Sequence, residues 1–157
     1  MISRVSVVII LLFGFLLFAQ TFEDEEPPFE IDVVVFPTTE EAEAHIIAWV
    51  PNTAVQFTKN NAKFVSRYQL NLNIEKNNES VFTADRSARH VVDSYETTLN
   101  EDSLQMHHFQ THVPGGNLAV QIRLFDQQSR RSHMIERTVL SPEANEQRDS
   151  ENVYRTS

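Results

Sequence analysis

Apolar and polar residues alternate with a period of two along much of this chain, and that period predicts β-strands. The clearest case is Phe64–Ile74. Phe64, Ser66, Tyr68, Leu70, Leu72 and Ile74 point one way, and Val65, Arg67, Gln69, Asn71 and Asn73 the other. One wet face and one dry face describe a half-buried antiparallel strand. Leu118, Val120, Ile122 and Leu124 alternate in the same way with Ala119, Gln121, Arg123 and Phe125. Ile31–Phe36 is a β-branched run stopped by Pro37. Ala44–Pro51 is apolar on both faces and also ends in proline. Trp49, inside it, is the sole tryptophan and is expected in the core.

The remaining segments complete the pattern. Thr38 and Glu41 have the spacing of a capping box, which predicts at most one helical turn before the Ala44 strand. Glu75–Asn78 is turn chemistry, and Ser80–Ala88 reads as the returning strand. Arg89–Leu99 fits helical and strand spacing alike; its β neighbours and Thr97–Thr98 favour a strand. Leu104–Val113 and Arg131–Leu140 are further strands. Between two such runs, Val113-Pro114-Gly115-Gly116 suits a type II turn with Gly115 taking the positive φ. A phosphate cradle would need a helix N-terminus after the glycines, and none follows. The fold expected over residues 29–140 is all-β: an immunoglobulin/fibronectin-III-like antiparallel β-sandwich of seven to eight strands. The chain has no cysteine, so it cannot carry the inter-sheet disulfide of antibody domains, and the fibronectin type is expected. The first strand and Ser80–Ala88 are the expected sheet edges.

The flanks differ in kind. Residues 1–20 read as a secretory signal peptide: Arg4, then the apolar run Val5–Leu17, then Ala19 as a small residue before the cut. The run is shorter than the roughly 20 residues of a spanning helix, so secretion or periplasmic export is expected, with a membrane anchor by an uncleaved signal as the alternative. Residues 21–28 form an acidic, proline-bearing linker, and residues 141–157 a polar tail expected to be disordered. Glu23–Glu26 lacks the spaced oxygens and turn glycine of a calcium loop. The net charge is −9, and loss of Arg4 with the signal leaves 12 basic against 22 acidic residues, net −10. Such a surface disfavours nucleic acid and anionic membranes as partners.

The order FEIDVVVFP, AWVPNTAVQF, FVSRYQLNLNIEKNN, DSYETT and VPGGNLAVQIRLFDQQSRRSHMIERTV resembles the N-terminal domain of secreted bacterial GWxTD-domain-containing proteins. The resemblance spans Phe29 to Leu140. The GWxTD segment itself does not occur, and Asn117-Leu118 stands where that family carries an aromatic, which marks a short stand-alone or truncated relative. The resemblance implies an immunoglobulin-like sandwich and brings no catalytic residues with it.

Candidate chemistry is sparse. His108 and His112 would share a face of one strand but lie about 13 Å apart, too far to ligate one metal side by side. A zinc site would need them to meet His45 or His133 from other strands; His90 and His107 complete the set. There is no cysteine and no Gly-x-Ser-x-Gly elbow for nucleophilic catalysis. Arg130-Arg131 reads as a soluble loop tip, and Asn78-Glu79-Ser80 as a polar loop. No catalytic, cofactor-binding or metal residue is therefore assigned, and the protein is expected not to be an enzyme. The expected function is that of an exported non-catalytic binding, adaptor or structural module, meeting protein partners through an edge strand or end loops. The alternative is a carbohydrate-binding module or an accessory fragment of a larger secreted enzyme, which would need Trp49 and a tyrosine exposed together.

Overall fold

The computed structural model describes residues 26–143. The segments read as a signal peptide and, for the most part, as a linker, and the tail after Glu143, lie outside the described residues. Eight antiparallel strands form two sheets: β1 (Glu30–Pro37), β2 (Ala42–Pro51), β3 (Thr58–Asn60), β4 (Lys63–Lys76), β5 (Glu79–Val92), β6 (Leu104–Val113), β7 (Gly116–Asp126) and β8 (Ser132–Ser141). One sheet has the order β1-β2-β6. The other is built around β4, which pairs with β5 along one side and with β3 and β7 along the other, and β8 closes it beyond β7. This is the expected antiparallel sandwich, and β1 and β5 are edges as the sequence indicates. Among the described residues no helix is long and apolar enough to cross a membrane.

The core lies between the sheets. Ala42, Ala44, Ile46, Ala48 and Val50 of β2 point inward, all nearly inaccessible. Opposing them are Tyr68, Leu70, Leu72 and Ile74 of β4 and Leu118, Val120, Ile122 and Leu124 of β7. Small side chains on one sheet thus meet large ones on the other, and they interdigitate at sandwich spacing. Each large aliphatic buried this way contributes about 1.5–3 kcal/mol relative to exposure.

Turn chemistry fixes the registers. Lys76 pairs with Glu79 across Asn77-Asn78, both with positive φ (54° and 66°), as a two-residue type I′ hairpin requires. A bulge between Ile74 and Glu75 then shifts the β4–β5 register and leaves Val81 over. At the β7–β8 hairpin the buried Asp126 carboxylate accepts from the Gln128 amide (2.9 Å), the Ser129 hydroxyl (2.5 Å) and the Gln56 amide (2.9 Å). That single side chain ties two loops at one pole of the sandwich.

Two expectations are corrected. The Arg89–Leu99 strand is divided: Arg89–Val92 completes β5, and a short helix α1 (Tyr95–Thr98) follows. Here the chain crosses between sheets. The Ser94 hydroxyl caps α1 by accepting from the Thr97 amide (3.3 Å), and Asn52 Nδ2 donates to the Thr97 carbonyl (2.8 Å). Local capping overrides the β preference of the threonines. At Thr38–Glu41, within the expected limit of at most one helical turn, none forms; the Thr38 amide bonds the Glu41 carbonyl (3.0 Å) and closes the β1–β2 hairpin. Nor is Gly115 the positive-φ residue. That is Gly116, at 105°, the first residue of β7. Pro114-Gly115 joins β6 of one sheet to β7 of the other, so it is an inter-sheet corner rather than a hairpin turn. Gly115 is needed for close approach: a Cβ there would sit 2.8 Å from Cα of Glu143. The last strand ends on Ser141, which is buried and pairs with Gly116.

The registers fix direction as well. β1 runs from the Trp49 end of β2 to its Ala42 end, and β8 runs from the Asp126 end of β7 to its Gly116 end. Asp126 shares a pole with the end of β2 through Gln56, so β1 and β8 run the same way.

Candidate functional site

The strongest candidate is the outer face of the β1-β2-β6 sheet, the face turned away from the core. Cross-strand register arranges it in rows. Phe36, Glu43 and His112 form one row, and Val34, His45 and Gln110 the next. Asp32, Ile47 and His108 follow, then Glu30, Trp49 and Met106, with Pro51 and Leu104 at the end. Four large apolar side chains on this face are exposed: Phe36 at 51%, Met106 at 58%, Leu104 at 48% and Val34 at 44%. Trp49 is half-buried among them, outside the core where the sequence places it. Its indole N–H donates to Asp32 Oδ2 at 3.2 Å. Both parities of β2 are apolar, and the row of small residues faces inward to fit the bulky leucines and isoleucines of the opposite sheet. That leaves Trp49 and Ile47 outward.

The histidines divide between the two faces of β6. On the outer face, His45 Nδ1 lies 2.9 Å from His108 Nε2, with the rings nearly parallel (16°) and 5.0 Å apart. His45 Nε2 lies 3.4 Å from Glu43 Oε1, and Glu43 also accepts from the Gln110 side-chain amide. The tautomers that satisfy both contacts have His108 donate to His45, and His45 donate to Glu43. Phe36 packs edge-on against His45, with centroids 5.4 Å apart. His108 therefore meets His45, as a metal site would require. His112 sits instead beside Glu43 at the far row, and His133 is on the other sheet. Among the described residues no three His, Asp or Glu side chains converge as a metal centre would need.

On the inner face of β6, His107 Nε2 meets the Tyr68 hydroxyl at 2.7 Å, and Gln105 Nε2 meets His90 Nε2 at 3.3 Å. Burial pushes the Tyr68 hydroxyl up to about 12. Burial lowers the His107 imidazole below its ordinary value, and the Arg86 guanidinium adds to that; burial alone lowers His90. A protonated phenol facing a neutral imidazole is a donor facing an acceptor, so the pair is structural. Arg86 covers the Phe109 ring at 4.8 Å. This polar seam closes the gap between the β5 and β6 edges.

The two outer faces contrast. That of the five-stranded sheet carries polar pairs, Asn71 to Asp85 (2.6 Å), Gln121 to Glu136 (3.0 Å) and Ser80 to Asn73 (2.6 Å), with exposed Met134 and Leu140 along its β8 edge. Satisfied side-chain pairs of this kind make an ordinary solvent face. Every Lys and Arg among the described residues, from Lys59 to Arg137, lies on that sheet or its loops. The β1-β2-β6 face has none, and carries Glu30, Asp32 and Glu43. Beside Trp49, an open cleft of about 700 Å³ is lined by Pro28, Phe29, Pro51, Glu101 and Leu104 among others. Tyr95, the exposed tyrosine of the described residues, is against Phe64, away from Trp49. An aromatic platform pairing Trp49 with a tyrosine is therefore absent among the described residues.

Sequence reasoning missed this face. Its histidine pair joins residues 63 apart, and only sheet register brings them together.

Comparison with known proteins adds little. No family model matches the chain, and no curated protein matches it. A crystal structure of Spo0M, a sporulation control protein from Bacillus subtilis, aligns with a TM-score of 0.38 and 13% identity. The alignment covers 80% of this chain and 56% of that one, so this chain spans a little over half the length of the protein it matches.

Proposed function

We propose that this chain is an exported, non-catalytic binding or adaptor module that engages a protein partner through the outer face of its β1-β2-β6 sheet. The observation that carries this reading is the contrast between that face and its counterpart. One bears four exposed apolar side chains, Val34, Phe36, Leu104 and Met106, with half-buried Ile47 and Trp49 between them and no Lys or Arg, while the other carries the cations and polar pairs, with Met134 and Leu140 exposed at its β8 edge. Several large apolar side chains left open on one sheet face mark an interaction surface, and aromatic residues and methionine are enriched in such surfaces. Export to the periplasm or medium is proposed from the Arg4-led apolar run, and kinship with the GWxTD-associated domains from the ordered phrases between Phe29 and Leu140.

The test is affinity capture from the exported fraction with the full chain and two double variants. Phe36→Ser with Met106→Ser changes the proposed face; Gln121→Ser with Thr138→Ala changes the opposite one. Loss of the captured partner with the first pair alone supports the reading. Equal retention by all three proteins would sink it.

A further inference from the structure

Resting on that reading, we propose that the partner's docking surface is apolar and cationic. It would present Lys or Arg side chains interleaved with aliphatic ones, as an extended basic strand or an equivalent patch does. Two independent features point to this chemistry. The exposed side chains on β1 and β6 supply apolar contact area around Trp49. Between them stand three carboxylates, Glu30, Asp32 and Glu43, with no Lys or Arg on the sheet.

The segregation is spatial as well as compositional. Glu40 and Glu41 extend the negative rim at the β1–β2 turn, and Glu101 and Asp102 extend it before β6. The existing polar contacts leave acceptor capacity. Asp32 receives one bond, from the Trp49 indole, and a carboxylate offers about four lone-pair sites. An anionic partner would be repelled by these groups, and a purely apolar one would desolvate them without compensation. A second copy of this chain would have to present its five-stranded sheet, where Arg123 stands beside exposed Met134 with Leu140 further along β8; sedimentation separates that occupant from a foreign one.

Trp49 lies on the middle strand of the face and is the chain's only tryptophan, so its emission reports occupancy of that face. The probes are two short peptides, one alternating lysine with valine and its glutamate-for-lysine counterpart. The full chain should bind the cationic peptide with a shift in Trp49 emission, and the anionic one should produce none. Binding should weaken as salt rises. Glu30→Lys with Glu43→Lys should weaken the cationic complex about tenfold, because each reversed carboxylate removes one attraction and adds one repulsion. Glu79→Lys with Glu136→Lys makes the same change of net charge on the other sheet and should leave affinity within about twofold. Glu43 is held by Gln110 and His45; if its substitution disturbs the sheet, Glu30→Lys alone carries the test, since Glu30 is exposed on an edge strand.

Equal binding of both peptides would overturn the proposal. So would equal weakening by both lysine pairs, which would mean attraction to bulk negative charge. Self-association through this face in sedimentation, or a Trp49 response to zwitterionic vesicles but not to the cationic peptide, would also overturn it. If capture of a partner needs Phe36 and Met106 yet ignores Glu30 and Glu43, the binding role stands and the charge preference falls.

Discussion

The Tyr68 hydroxyl and His107 Nε2 meet at 2.7 Å, one side chain from each sheet of the sandwich. The bond crosses the core near its open edge, where burial keeps the phenol protonated and burial with the Arg86 guanidinium keeps the imidazole neutral.

Stability should therefore fall at both ends of the pH scale. Tyr68 has its hydroxyl raised from 10.0 to about 12. Below 10 both folded and unfolded chains keep that proton. Above it only the folded chain does, so stability is lost as pH climbs from about 10 toward 12. His107 and His90 are lowered. Below about 6.5 the unfolded chain binds protons that the folded one refuses, so stability declines as pH drops past that value. Urea titrations across pH should show both arms. Tyr68→Phe should flatten the alkaline arm and cost about 1 kcal/mol at neutral pH.

Asp126 should be a stability residue and not a binding one. Its buried carboxylate accepts from Gln56, Gln128 and Ser129. Asp126→Ala strands those donors and should cost about 3 kcal/mol by chemical denaturation. Affinity for a partner on the β1-β2-β6 face should stay unchanged.

Gly116→Ala should cost about 2 kcal/mol, because φ of 105° is strained for any L side chain. Gly115→Ala acts differently. Its Cβ meets Glu143 backbone at 2.8 Å, so the chain after β8 must shift. Amide exchange of Ser141 should speed up while the core strands stay protected.

Asn78→Gly should raise stability by about 0.5 kcal/mol, since glycine takes the positive φ of 66° without steric cost. Asn78→Val should lower it by more than that. Thermal melts of both variants decide the matter.

Most of the fold was legible because β-strands declare themselves through alternation. β4 and β7 each have one dry parity, and their inward residues read directly. β2 does not declare its inner side. Ala44, Ile46, Ala48 and Val50 compete with His45, Ile47 and Trp49, and only the bulk of the opposing sheet decides that the smaller row goes in. Residues 89–99 misled because the sequence does not say where the chain leaves one sheet for the other. The Ser94 cap was the available signal for the short helix there. The proline–glycine corner has the local chemistry of a turn whether it joins neighbours in one sheet or crosses between two. The candidate face was illegible for a simpler reason: it is a property of three strands side by side, and no single segment contains it.

The shared direction of β1 and β8 has a mechanical consequence. The described chain enters at the pole of Trp49 and Asp126 and leaves at the pole of Gly115. Tension between residues 26 and 143 would pull along the strands. The ladder bonds of β1 with β2 and of β8 with β7 lie across that axis. They would be loaded together in shear, where unzipping them one at a time is not possible. A domain strung this way can bear load between two attachments while its broad face stays turned outward.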